Sequence, residues 1–206
     1  MTRHRQRHGG ACLRAEAPLR ARGRAWGAVM LCLLLPSLAL GQESAAERPS
    51  KVMAAFLRNF AHYVTWPDTA FSDARSPWHV CVLGRDPFGD VLEKTLQGRA
   101  EQGRPFEVLR ADTPDELPAC QIVYVSYEAQ DRRRAALAAL KRQPVLTVGD
   151  TPDFLMEGGI IQFNVGDRVS MSINLDQARS ASLLIQTKML EVSHQVLEAG
   201  ILRTLR

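Results

Sequence analysis

The chain has 206 residues, four cysteines and a formal net charge of +4. That excess sits at one end: the first 41 residues hold seven arginines and one glutamate, which leaves 19 basic and 21 acidic side chains, a net charge of −2, on the other 165. Such a body carries no electrostatic footprint for nucleic acid, and its length suits one domain with a real core.

Residues 1–41 are expected to form a secretory signal peptide. Scattered arginines from Arg3 to Arg24 precede an uncharged run, Ala25 to Gly41, that contains Pro36 and ends Ala39-Leu40-Gly41. The run falls short of the ~20 apolar residues that a membrane span needs, and Cys32 lacks the context of a lipidated cysteine. Cleavage would remove Cys12 and Cys32 and leave Cys81 and Cys120. In an oxidising compartment an even pair suggests one bridge, with two buried free thiols as the alternative.

Residues 42–50 are polar and expected to be a flexible N-terminus, with Ser50 capping the next helix. From residue 51 to 66, Val52, Ala55, Phe56, Phe60, Ala61 and Val64 recur at helical spacing until Pro67 stops the run. Residues 78–83 form an apolar run ending at Gly84 and feeding a helix over 87–97, the pattern of a parallel strand. Strands follow at 106–109, 121–126 and 145–148, with a helix over 130–142 and one helical turn over 151–156. Gly166-Asp167 between two apolar segments, 160–165 and 168–174, predicts a hairpin. Helices are predicted over 175–181 and 187–202. The expected fold class is α/β: a single domain over 51–202 with a mostly parallel sheet, helices on both faces and a C-terminal antiparallel hairpin as its edge.

No catalytic constellation is visible. His62, His79 and His194 lie far apart with no ligand spacing, so no metal site, cofactor or catalytic residue is predicted. The loops at Gly84–Phe88 and Gly149–Asp153 end strands where α/β sheets bind ligands, which raises an alternative function as a small-ligand binding protein. Asp86, Asp150 and Asp153 in them serve equally well as helix caps. Arg132, Arg133 and Arg134 form a charge run, read either as a solvated face or as a surface for an acidic partner. Of the apolar residues between Leu183 and Leu190, some must enter the core, and any left outside would form a binding patch.

Several segments in order carry a resemblance: Lys51 to Phe60, Tyr63-Val64-Thr65-Trp66-Pro67, Cys81 to Gly89, Cys120 to Ser126, Pro144 to Asp150, Phe154, Gly158-Gly159-Ile160-Ile161, and Ile173 to Ala178. In these the chain resembles the YfiR-like family of exported bacterial proteins, whose repressor member restrains a membrane-bound diguanylate cyclase. The resemblance implies a single α/β domain in the periplasm that binds rather than catalyses, and a bridge between Cys81 and Cys120. It implies as partners the periplasmic domain of an inner-membrane sensor or diguanylate cyclase, an outer-membrane lipoprotein and, in a homo-dimer, a second copy. The contact surface is expected on Phe154, Met156, Glu157, Leu183, Ile185 and Met189. The repressor has a second bridge before the hairpin; residues 150–163 here contain no cysteine.

Overall fold

The computed structural model describes residues 47–205. The expected signal peptide, 1–41, and residues 42–46 of the expected flexible segment lie outside them. The elements in chain order are α1 (Glu47–Tyr63), β1 (Val64–Thr65), β2 (Trp78–Gly84), α2 (Val91–Leu96), β3 (Ala100–Glu101), β4 (Arg104–Ala111), β5 (Ile122–Ser126), α3 (Gln130–Ala139), β6 (Leu146–Gly149), β7 (Ile161–Val165), β8 (Val169–Asn174), α4 (Leu175–Ser180), β9 (Leu184–Ile185), α5 (Thr187–Glu191), β10 (Gln195–Glu198) and β11 (Ile201–Thr204).

Side-chain alternation sets the layers. Along β2, Val80 and Val82 join the larger apolar cluster, whereas Cys81 and Leu83 join the smaller one. Along β5, Ile122 and Tyr124 face the first cluster and Val123 and Val125 the second. Strands buried on both faces need apolar residues at every position, which is why these segments read as continuous runs. Met53, Leu57, Phe60 and Val64 of α1 and Leu92 and Leu96 of α2 fill the larger cluster. Ala136 and Leu137 of α3, with Leu140 beyond it, fill the smaller one on the opposite face.

Among the described residues nine strands form one sheet, in the order β11-β10-β8-β7-β6-β5-β2-β4-β3. The pairs β4/β2, β2/β5, β5/β6, β6/β7 and β8/β10 are parallel; β3/β4, β7/β8 and β10/β11 are antiparallel. The hairpin at Gly166-Asp167 forms, with Val165 opposite Val169. It is not the edge, because β10 adds beside β8. A separate pair, β1/β9, sets Val64 opposite Ile185.

Three expectations are corrected. First, α1 begins at Glu47, so Ser50 lies inside the helix, where its hydroxyl donates to Pro87 O at 2.8 Å. Second, α2 begins only at Val91. The Asp86 carboxylate takes the Phe88 N–H at 2.8 Å, and Gly89 adopts a left-handed φ of 53°, which breaks the chain ahead of the helix. Third, the helix expected over 187–202 ends at Glu191, and residues 195–204 form a hairpin. Its turn places Ala199 (φ 51°) and Gly200 (φ 73°) in left-handed conformations. The Asp176 carboxylate of α4 accepts both of their N–H groups at 2.9 Å. These contacts, and pairing with β8, outweigh the helix preference of Leu197, Glu198 and Ala199.

Cys81 and Cys120 are joined in a disulfide, with Cα atoms 6.2 Å apart. It ties the middle of β2 to the residue before Gln121 and β5. Phe154 fills a cradle made by two glycines: a Cβ added at Gly149 would lie 2.5 Å from its ring and one at Gly159 2.2 Å. Gly159→Ala is therefore expected to cost about 1–3 kcal/mol by overpacking. Urea denaturation of that variant, alone and with Phe154→Leu, should show partial recovery in the double variant.

Candidate functional site: an apolar groove between α1 and α5

Phe56, Asn59, Phe60 and Tyr63 lie three, four and seven residues along α1 and so share one face. Phe60 is buried, while Phe56, Asn59 and Tyr63 are only half-covered. Opposite them, α5 and the residue after it present Met189 and Val192, and Met171 of β8 also lines the space between. The groove has a volume of about 400 Å³. Phe56 and Phe60 of its wall pack against Phe163 behind them, with ring centroids 5.7–6.2 Å apart. Gln186 pins α5 to the end of α1: its N–H donates to Tyr63 O at 3.0 Å and its side-chain amide to His62 O at 3.2 Å.

Exposed apolar side chains cluster around this end of the chain. Val192 is 55% exposed and Leu184, on β9, is 67% exposed. Lys188 and Glu191 supply opposite charges at the groove lining. A concave, apolar, aromatic-walled surface with a polar rim is the anatomy of a protein-docking site.

The expected contact residues fare unevenly. Phe154, Leu183 and Met189 are buried core residues, so the first two are not available to a partner and Met189 contributes only to the groove lining. Glu157 is also lost to the surface: its side chain is 1% exposed and grips Arg133. Met156 is 72% exposed, and Ile185 is half-buried against Val64. Phe56, Tyr63 and Val192, which were not among the expected contact residues, line the groove. The signal was present in α1, where Phe56 and Tyr63 add more apolar surface than one buried stripe uses.

The two loops proposed for a ligand do not line one cleft. Gly84 and Arg85 border a depression with Tyr127 and Arg132, while Asp150 and Pro152 border another with the β7–β8 turn. Asp86 is occupied structurally, accepting from Phe88 N and from Arg110 Nε at 2.7 Å. Arg110 also grips Glu93, and that guanidinium holds the Glu93 carboxyl below its usual range. Burial pushes the Tyr124 phenol far up, helped by the Asp150 carboxylate. The histidines are separate: His62 meets Glu101 at 3.1 Å, His79 meets Ala119 O at 2.8 Å, and the His194 N–H donates to Met171 O. Among the described residues no group of three or more His, Cys, Asp or Glu side chains is placed to hold a metal ion.

The arginine run is divided rather than forming one face. Arg132 lies 4.5 Å over the Tyr127 ring. Arg133 is buried and bidentate to Glu157, at 2.9 Å through Nε and 2.8 Å through Nη2. Arg134 reaches a crevice beside Gly158.

A sequence model described as YfiR/HmsC-like matches residues 50–194. The chain belongs to the YfiR/HmsC-like family. None of the curated proteins searched matches it. Like its family, this YfiR/HmsC-like protein is a non-catalytic periplasmic regulator that acts on a membrane sensor or diguanylate cyclase. No helix among the described residues is long and apolar enough to cross a membrane.

Proposed function

We propose that the α1–α5 groove, with Val192 and Leu184 beside it, is where this YfiR/HmsC-like protein holds the periplasmic domain of its sensor. The observation that supports it is an open aromatic-walled groove with the exposed aliphatic Val192 in its lining. Met156, the exposed residue of the expected set, sits on the turn that Arg133 of α3 grips through Glu157, outside this groove. Restraint works by population shift: the regulator binds the inactive sensor more tightly than the active one. Moving a sensor from 1:99 to 99:1 takes about 5.5 kcal/mol of differential binding. An outer-membrane lipoprotein that competes for the regulator would release the sensor, and a second copy of the chain provides a further contact. We assign the export segment to residues 1–41; the working domain, expected over 51–202, takes in α1 from Glu47 and β11 to Thr204.

Val192→Asp and Leu184→Asp test the surface. Both residues are exposed, so thermal stability should move by no more than about 0.5 kcal/mol. Loss of a central apolar contact of about 2 kcal/mol would weaken sensor binding roughly 30-fold. Calorimetric titration of the sensor's periplasmic domain reads the difference. Undiminished binding by both variants would place the docking surface elsewhere.

A further inference from the structure

The arginine run leaves one cation without a role. Arg132 lies on Tyr127 and Arg133 holds Glu157, but Arg134 reaches a crevice whose lining also includes Lys141 and Arg142. None of these three cationic side chains makes a hydrogen bond or ion pair among the described residues. The carboxylate in the lining is Glu157, 1% exposed and held on both oxygens by Arg133. Arg134 adds only a smaller pull on it. The depression beside Gly84 differs, because there Arg85 meets Glu128 at 3.6 Å.

The crevice lies where β6 and β7 part. The two strands are in register only at Val148–Ile161 and Gly149–Gln162. One residue earlier the Ile160 N–H donates to the Thr147 hydroxyl at 3.1 Å, and the Ile160 carbonyl accepts from Asn174 N at 2.8 Å. An opening of about 150 Å³ remains between α3 and α4, lined inside by the buried side chains of Leu137, Val145 and Ile160. A space of that size holds one six-membered ring. Arg142, just past α3, adopts a left-handed φ of 63°, at a point where chains leaving a helix usually place glycine.

We propose that this crevice binds a small organic carboxylate, with an apolar body of about six carbons against Leu137, Val145 and Ile160 and its charge among Arg134, Lys141 and Arg142. Cationic side chains pair most strongly with a carboxylate beside a surface that excludes water. An inorganic anion uses only the charged rim and a neutral ring only the apolar interior, so the two together select the class. The crevice is on the α3 face of the sheet and the groove on the α1 face, so ligand and sensor do not compete for one surface.

Titration of the exported protein with benzoate at low salt, followed by amide NMR shifts, tests this. Saturable shifts are expected at the Ala138, Gln177 and Ala181 amides, with benzamide and acetate each binding at least about tenfold more weakly. Arg142→Gly removes one charge and relieves the left-handed backbone, so it should weaken benzoate about tenfold without lowering the thermal midpoint. Lys141→Gln leaves the backbone alone and carries the charge test if the glycine variant folds poorly. Ala138→Leu, exposed on α3, keeps all three cations and fills the space, so it should abolish saturable binding in a folded protein. Benzamide binding as tightly as benzoate, shifts that never saturate, or full affinity in the Lys141 and Ala138 variants would overturn the site.

Discussion

Removing the disulfide, by Cys81→Ala with Cys120→Ala, is expected to lower stability by roughly 4 kcal/mol. The bridge closes a loop spanning a sequence separation of 39, and the chain-entropy model for a loop of that size gives that figure. The closed segment holds α2, β3 and β4, so the bridge restrains every strand on one side of β2. Both cysteines are buried, at 0% and 5% exposure, in the smaller apolar cluster beneath α3. Alanine leaves no new polar group there. Urea denaturation of the wild type with and without reductant should show the same loss, and reductant should not change the double-alanine variant. Equal stability of oxidised and reduced wild type would mean that the bridge contributes nothing to folding.

Arg133→Ala is expected to cost about 3–5 kcal/mol, because it strands a buried carboxylate. The Arg133 guanidinium spends both faces of its fork: Nε and Nη2 hold Glu157, and Nη1 donates to Tyr127 O at 2.9 Å and Glu128 O at 2.7 Å. It thereby joins the start of α3 to the turn segment that carries Phe154 and Met156. Glu157→Gln should cost less at neutral pH, since the amide still accepts one hydrogen bond. The sign with pH follows from the carboxylate. Hydrogen bonding to Arg133 holds the Glu157 carboxyl below its usual value, so its stabilisation is present above the ordinary glutamate range and is lost as pH falls through the depressed value. The stability gap between wild type and Glu157→Gln should therefore be full at pH 7 and shrink toward pH 3. Denaturation midpoints at the two pH values measure it, and a gap unchanged at pH 3 would contradict the ion-pair account.

Much of the fold was readable because both faces of the sheet are covered. Strands such as β2 and β5 announce themselves as unbroken apolar runs, and Gly166-Asp167 marks the β7–β8 hairpin locally. The C-terminal hairpin was not readable for the opposite reason. Val192, Val196 and Leu197 fit a helical stripe, and what makes β10 and β11 strands is distant: β8 beside them and the Asp176 carboxylate at their turn. The site was harder still, because exposure is a tertiary property. Phe154 sits among glycines that resemble a loop tip, yet Gly149 and Gly159 are the walls of its pocket. Glu157 looked like a surface charge until Arg133, 24 residues away, enclosed it. Phe56 looked like a core position, and only the placement of α5 leaves a groove over it.

A photo-crosslinking residue placed at position 192, activated in intact cells and read by mass spectrometry, measures the docking contact itself. A second at position 135, exposed on α3 across the sheet from α1, serves as the control. Capture of a membrane sensor's periplasmic domain from position 192 and not from 135 is the expected result. Capture from 135 with none from 192 would contradict restraint through the α1–α5 groove.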